Sequence, residues 1–161
     1  MEEKAHIISL LVNNKPDVLA RVSGTLGGRG YNIESLCVNV TANPEISKII
    51  LTTIGDKSTI IKIEKQMDKL IDVRKVSDLT EATSVQRELV LIRMKVTEEN
   101  KSKITEIIDT FKFRVIIMES DYCILEVTGT PDRIENALTH LKPVGIEDIA
   151  RTGTIALGKN K

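Results

Sequence analysis

Two asparagines stand where a side chain could bind a small ligand. Asn14 lies between the first predicted strand and the first predicted helix, and Asn32 follows a glycine-rich turn at the start of the second predicted strand. A side-chain amide has N–H donors and an acceptor oxygen, so it can bind both the carboxylate and the ammonium of an amino acid. The loop after Asn14 also leads into a helix N-terminus, whose free N–H groups attract an anion. The alternative is structural, because asparagine is common in turns for backbone reasons alone.

The other reactive residue types do not form a catalytic constellation. His6 and His140 are isolated in the sequence, which favours surface or helix-end roles. Cys37 and Cys123 stand far apart in apolar runs, as buried thiols do, and a disulfide or metal pair is the minor alternative. The glycine-rich stretch 24–30 follows a helix and lacks the lysine and hydroxyl residue of a phosphate loop. We therefore predict no catalytic residue and no metal site.

The composition excludes several partners. The formal net charge is zero, with two Phe, two Tyr and no Trp, so neither a basic stripe nor aromatic platforms are present for nucleic acid. The apolar runs are far too short to span a membrane. The chain starts Met1-Glu2-Glu3-Lys4, which resembles neither a signal peptide nor a transit peptide. We expect a cytoplasmic protein that binds neither nucleic acid nor membrane.

The elements that must position the two asparagines follow from the spacing of apolar residues. The first half predicts strands over 6–12, 33–40, 47–54 and 73–76. A first helix is predicted over 17–27, with Pro16 and Asp17 as its starter and cap, and a second helix follows with Ser58 as N-cap. This β-α-β-β-α-β order is typical of the ferredoxin-like fold, an antiparallel sheet with two helices on one face.

The second half repeats the same order. Strands are predicted over 89–96, 114–118 and 123–127, with an extended stretch over 146–157 that bends at Gly153. Helices are predicted between these strands, one of them capped by Thr130-Pro131. We therefore predict an α+β protein of two tandem ferredoxin-like domains. Their predicted boundaries are 1–79 for the first domain, 80–86 for a linker and 87–161 for the second domain.

Five segments carry a resemblance to a known family. Residues 14–22, Asn-Lys-Pro-Asp-Val-Leu-Ala-Arg-Val, resemble the opening loop and helix of an ACT regulatory domain. Residues 29–36, Arg-Gly-Tyr-Asn-Ile-Glu-Ser-Leu, resemble more specifically the small regulatory subunit of acetolactate synthase, also called acetohydroxyacid synthase. Segments 63–73, 86–89 and 150–153 agree with this resemblance, which covers nearly the whole chain.

The resemblance implies a function without catalysis. Such a subunit dimerises through its ACT domain, binds the large catalytic subunit, raises its activity and confers feedback inhibition by valine or another branched-chain amino acid. Asn14 of one chain and Asn32 of its partner would hold the effector. The implied effector-binding residues are Asn14, Lys15, Pro16, Asp17, Val18, Asn32 and Ile33. Thiamine diphosphate, magnesium and FAD would belong to the catalytic subunit, leaving this chain without a cofactor.

One residue departs from the family pattern. The family usually has glycine where this chain has Asp17. A carboxylate there would compete with the effector's carboxylate, and two like charges at about 4 Å repel by roughly 1–4 kcal/mol. That repulsion corresponds to a roughly fivefold to thousandfold loss of affinity. We therefore predict weak or absent valine inhibition, with activation of the catalytic subunit retained.

Two other classes of protein remain as alternatives at this point. A stand-alone ACT-domain sensor could act on another enzyme or on transcription, although no helix-turn-helix pattern with a basic face is evident. A small enzyme on a ferredoxin-like fold would need the catalytic constellation that the sequence lacks. The fold by itself does not decide among these functions.

Overall fold

A computed structural model describes residues 4–80 and 84–159, which form two compact units. The first unit takes in the described residues of Met1–Val85 and of Gly153–Lys161, and the second unit is Gln86–Thr152. The C-terminal segment, which the sequence prediction placed in the second domain, therefore packs within the first unit. Residues 81–83 of the predicted linker 80–86 lie outside the described residues, and Ser84 already begins a strand.

The first unit has the predicted β-α-β-β-α-β order. Its elements are β1 Lys4–Asn13, α1 Val18–Gly27, β2 Ser35–Val40, β3 Ile46–Gly55, α2 Lys57–Met67 and β4 Val73–Asp78. The strands form an antiparallel sheet in the order β2-β3-β1-β4, with β2 and β4 at its edges. The core lies between the sheet and the helices because alternate residues of β1 point toward them. Buried core residues include Ile8, Leu10, Val12, Val22, Leu26, Leu51, Ile63 and Met67.

Helix α2 begins two residues earlier than its predicted cap implies. The Asp56 carboxylate accepts the backbone N–H of Thr59 at 2.8 Å and the hydroxyl of Ser58 at 2.9 Å. The predicted N-cap at Ser58 is therefore wrong, since Asp56 occupies that position. The hydrogen bond from the Thr59 backbone, more than any other contact, lowers the pKa of Asp56 to about 2.

The second unit repeats the arrangement of the first. Its elements are β5 Ser84–Lys95, which starts just before the unit, α3 Lys101–Phe111, β6 Arg114–Met118, β7 Tyr122–Gly129, α4 Pro131–Gly145 and β8 Ile146–Arg151. The antiparallel strand order is β6-β7-β5-β8. A last strand, β9 Ile155–Gly158, follows a bend at Gly153 with φ of 73°, as predicted, and belongs to the first unit. The predicted α+β class with two such layouts is confirmed.

An ion pair to a buried glutamate links two of the segments that carried the family resemblance. Glu88, whose side chain is 2% exposed, accepts two hydrogen bonds from Arg151, at 2.6 and 3.1 Å. Arg151 also lies 2.8 Å from Glu135 on α4. These contacts join β5, β8 and α4 within the second unit, so Glu88 and Arg151 have a structural role.

His6 is also placed differently from its prediction. Its side chain is 4% exposed instead of lying at the surface. Nδ1 lies 3.2 Å from the Thr80 hydroxyl and 3.7 Å from the Asp78 carboxylate. Nε2 has no hydrogen-bond partner among the described residues. His6 is thus part of the packing at the start of β1.

No helix within residues 4–80 and 84–159 is long and apolar enough to cross a membrane.

Candidate functional site

Asn14 fixes the loop between β1 and α1 to the loop between β2 and β3. Its side-chain N–H donates to the Pro44 carbonyl at 2.8 Å, and its side-chain oxygen accepts the Ser47 hydroxyl at 3.1 Å. Its backbone N–H donates to the Glu45 carbonyl at 2.7 Å. The amide therefore has a structural role, while its second side-chain N–H and a second lone pair make no hydrogen bond within the described residues.

Asp17 stands at the N-cap position of α1 without capping it through its side chain. Its backbone is left-handed, with φ of 70° and ψ of −16°. Its carboxylate lies 2.7 Å from the Arg21 guanidinium and makes no capping hydrogen bond. The predicted cap is thus correct in position and wrong in mechanism. Glycine adopts this left-handed backbone without steric cost, whereas an aspartate is strained there.

The first backbone N–H groups of α1 are consequently not capped by the Asp17 side chain. The first N–H groups of a helix have no partner within the helix. The Asp17 carboxylate does not occupy them, because it pairs with Arg21. Val18 is buried in the core, so only its backbone N–H can face a ligand.

Asp72 also binds residues of this loop, although it lies far from them in the sequence. The sequence did not indicate this residue. Its carboxylate accepts the Asn13 side-chain N–H at 2.8 Å and the Lys15 ammonium at 3.2 Å. It also lies 3.5 Å from Arg21, and its carbonyl accepts the Asn13 backbone N–H. The Asn13 hydrogen bond, followed by the one from Lys15, lowers the pKa of Asp72. Asp72 lies 57 residues beyond Lys15, so no local pattern could indicate the contact.

An open cavity of about 400 Å³ lies against this loop. Its lining is polar and includes two cationic side chains and one carboxylate. Arg74 is held in place by a 2.6 Å hydrogen bond to the Asn13 side-chain oxygen. The lining residues are Asn13, Asn14, Lys15, Pro44, Glu45 and Arg74.

Asn32 lies at the other end of the sheet. Its side chain donates to Glu34 at 2.5 Å, and its carbonyl accepts the Thr53 hydroxyl at 2.7 Å. Asn13, next to Asn14, pairs with Ile46 at the opposite end of β3. Thr53 lies seven residue steps along β3 from Ile46, which is about 24 Å at roughly 3.4 Å per residue. Within one chain, Asn32 and the adjacent half-buried Ile33 are therefore not brought together with the loop 14–18.

Comparisons with family models match both halves of the chain. Residues 8–75 match the model described as an AHAS small subunit-like ACT domain. Residues 87–160 match the model described as the small subunit of acetolactate synthase.

Similar whole proteins agree with these matches. The chain is 41% identical to a probable acetolactate synthase small subunit of Archaeoglobus fulgidus over 94% of its length and 95% of that protein. It is 36% identical to the acetolactate synthase small subunit of Mycolicibacterium smegmatis, over 96% and 91% of the two chains. The crystal structure of the acetolactate synthase small subunit from Thermotoga maritima superposes with a TM-score of 0.87 at 33% identity, covering 98% of this chain and 99% of that one.

Proposed function

Because the chain belongs to the family of acetolactate synthase small subunits, we propose that it activates a catalytic subunit and makes it sensitive to a branched-chain amino acid. Family membership identifies a regulatory subunit with an ACT domain that pairs with a catalytic subunit. Valine feedback, dimerisation and the effector site are the proposed parts. The observation that carries the site is the position of Asn14 and Asn32 at opposite ends of one sheet.

The apolar edge of the first sheet supports a dimer. On the edge strand β2, Leu36, Val38 and Val40 are 38%, 37% and 52% exposed. The opposite edge strand, β4, carries the exposed cations Arg74 and Lys75, and charges of this kind discourage strand pairing. We propose that β2 pairs with β2 of a second copy, because an unpaired apolar edge is a template for another strand.

Such pairing would place the two asparagines side by side. In an antiparallel pair about a two-fold axis, residues equally far before and after the axis stand opposite each other. An axis at Cys37 places Asn32 opposite Ala42 of the other copy, and an axis at Val38 places it opposite Pro44. Asn14 donates to the Pro44 carbonyl in its own chain. The partner subunit's Asn32 would therefore lie beside Asn14, although the two residues are far apart within a chain.

The chemistry of this shared site fits a zwitterion. The uncapped N-terminus of α1 offers N–H groups for the effector's carboxylate. The side-chain oxygens of the two asparagines offer acceptors for its ammonium. Lys15 and Pro16 belong to the loop between Asn14 and the N-terminus of α1. The Lys15 ammonium is paired with Asp72. The catalytic subunit would supply thiamine diphosphate, magnesium and FAD, so no chemical step is assigned to this chain. Action in the cytoplasm, without nucleic acid or membrane partners, stays a prediction.

A reconstitution experiment tests the proposal. The purified chain is added to an acetolactate synthase catalytic subunit, and acetolactate formation is measured with and without valine. We expect the rate to rise severalfold on addition of the chain and to show weak valine inhibition because of Asp17. An unchanged rate would contradict the proposal, even if the chain itself binds valine, because it would indicate a sensor for another system.

A matched pair of variants tests the dimer separately. Val38→Lys places a charge on β2 and should convert the dimer to monomer in analytical ultracentrifugation. Ile71→Lys makes the same change at a residue that is 88% exposed outside β2, and should leave the dimer intact. A monomeric wild type, or equal behaviour of the two variants, would contradict pairing through β2.

A further inference from the structure

A second polar cavity lies in the second unit, where β7 ends and α4 begins. Its volume is about 210 Å³. Its polar side chains are all hydrogen-bond donors, and none of them is a carboxylate. The lining residues are Arg87, Thr128, Gly129, Thr130 and Arg133.

The two arginines at this cavity differ from the others in the unit. The remaining three arginines of residues 86–152 each form an ion pair with a glutamate; the arginines are Arg93, Arg114 and Arg151. Arg87 and Arg133 form no ion pair with any residue in 4–80 or 84–159. Two positively charged side chains therefore line one cavity, and neither of them forms an ion pair within the described residues.

Neutral contacts hold both guanidinium groups in place. Arg87 donates to the Gln86 carbonyl at 2.7 Å, and Arg133 donates to the Phe111 carbonyl at 2.9 Å. Each guanidinium has five N–H donors, so most of them remain for a ligand. The groups are thus oriented before any ligand binds.

Gly129 allows the Arg133 side chain to lie close to the end of β7. A Cβ atom at Gly129 would stand 2.6 Å from Cδ of Arg133, closer than non-bonded carbon atoms can approach. The pairing of Glu88 with Gly129 places Arg87 next to Thr130, the residue that directly follows β7. The sheet register and this glycine therefore bring the two arginines to the same cavity.

The end of helix α4 does not itself attract the ligand. Thr130 caps it by accepting the Arg133 backbone N–H at 3.4 Å, Pro131 has no N–H, and Asp132 already places a negative charge in the first turn. The Thr130 hydroxyl keeps its own proton for donation, as does that of Thr128. The charge that a ligand would meet comes from Arg87 and Arg133.

We propose that this cavity binds a phosphoryl group. A guanidinium group can donate two parallel hydrogen bonds to two oxygens of a phosphate. A phosphate dianion also balances two positive charges, whereas a carboxylate balances only one. The ligand is free phosphate or a phosphate monoester, which share this chemistry. The proposal does not depend on valine binding or on the catalytic subunit, because every contact lies within residues 86–152.

Binding to the full-length chain tests the proposal directly. Isothermal titration at constant ionic strength measures inorganic phosphate, and ribose 5-phosphate in a second series. We expect saturable binding with a Kd at or below about 1 mM, at least tenfold weaker in Arg87→Gln and in Arg133→Gln. Tighter binding of ribose 5-phosphate than of phosphate would identify a monoester ligand, and the reverse would identify free phosphate.

Two controls keep the test specific. Arg114→Gln removes the same charge from the same unit at a side chain that is 76% exposed, and should leave phosphate binding unchanged. Gly129→Ala should weaken binding by displacing the Arg133 side chain, with circular dichroism confirming the fold. No saturable binding in the wild type, or an equal loss in Arg114→Gln, would overturn the proposal.

Discussion

The two units share one order of elements but connect their first strand and first helix in different ways. In the first unit, α1 starts at a left-handed Asp17 without a side-chain cap, next to an open polar cavity. In the second unit, the side chain of Asn100 forms three hydrogen bonds in the turn between β5 and α3. Its side-chain oxygen accepts the Thr97 backbone N–H at 2.8 Å, and its side-chain N–H groups donate to the carbonyls of Lys95 and Val144 at 2.9 and 3.1 Å.

The difference between Asn14 and Asn100 lies in how many of the amide's hydrogen bonds are made within the chain, and the proposed effector site depends on this difference. The amide of Asn100 donates to two carbonyls and accepts one N–H, whereas the amide of Asn14 donates to only one carbonyl. Asn14 is also one of the residues that line the open cavity of the first unit. The ferredoxin-like layout alone does not determine function, and the two loops differ in how much of their hydrogen-bonding capacity is used within the described residues.

The largest expected effect comes from replacing each of these two asparagines by alanine and comparing the two variants. We expect Asn14→Ala to weaken valine binding about tenfold to a hundredfold, the loss expected for hydrogen bonds to a charged ligand. We expect Asn100→Ala to leave valine affinity unchanged and to lower the free energy of unfolding by about 1–3 kcal/mol. Calorimetry and urea unfolding measure the two effects. An equal loss of affinity in both variants would remove the distinction between the loops.

The next effect concerns Asp72, whose carboxylate binds Asn13 and Lys15 beside Asn14, whereas the Asn100 side chain donates to the Val144 carbonyl. Asp72→Asn keeps the shape but loses the charge that holds Lys15 and Arg21. We expect a severalfold loss of valine affinity and a lower unfolding free energy at pH 7. Because the folded protein lowers the pKa of Asp72, this stabilisation is present above about pH 4 and is lost as the pH falls. The difference between wild type and variant should therefore shrink in acid, which urea unfolding at pH 7 and pH 3.5 would measure.

A smaller effect is expected at Asp17. Asp17→Gly should raise valine affinity roughly fivefold, the lower end of the expected repulsion, because Arg21 already offsets part of the charge. Asp17→Asn distinguishes the effect of the carboxylate charge from the effect of the backbone conformation, since asparagine also tolerates the left-handed conformation. If charge is the cause, both variants bind valine more tightly by calorimetry. Unchanged affinity in Asp17→Gly would show that the electrostatic explanation is wrong.

The smallest effect contrasts the uncapped α1 with the capped α2. We expect Asp56→Ala to lower the melting temperature at pH 7 more than Ser58→Ala, because Asp56 accepts the Thr59 backbone N–H. The pKa of Asp56 is lowered to about 2, so this contribution is complete above about pH 4 and disappears as the pH falls toward 2. Thermal unfolding at pH 7 and pH 2 checks both statements. A larger loss in Ser58→Ala would restore the cap predicted from the sequence.

The order of elements could be predicted from the sequence because it depends on local periodicity. The spacing of Ile104, Ile107 and Phe111 is enough to indicate α3, and alternation along β5 is enough to indicate a half-buried strand. The first residue of a helix is harder to predict from the sequence. Asp56 and Ser58, for example, are both good capping residues and stand two positions apart. The start of β5 at Ser84 could not be predicted, because four of its first five residues are polar; they are Ser84, Gln86, Arg87 and Glu88.

The candidate site was predictable only in part. The asparagines, their loops and Asp17 could be singled out from residue type and resemblance. The Asp72 carboxylate, the left-handed backbone of Asp17 and the burial of His6 depend on contacts between distant residues or on local backbone geometry. The packing of residues 153–159 in the first unit also depends on such contacts, among them the approach of Gly153 to Ser35.

The proposal that two chains share each effector site is tested most directly by mixing two defective subunits. Chains carrying Asn14→Ala and chains carrying Asn32→Ala, with different affinity tags, are co-expressed, and the mixed dimer is isolated. In that dimer one site keeps both asparagines and the other loses both. Titration with valine should then show one site of wild-type affinity per mixed dimer, whereas each pure variant dimer binds weakly. Weak binding by the mixed dimer as well would contradict a site built from two chains.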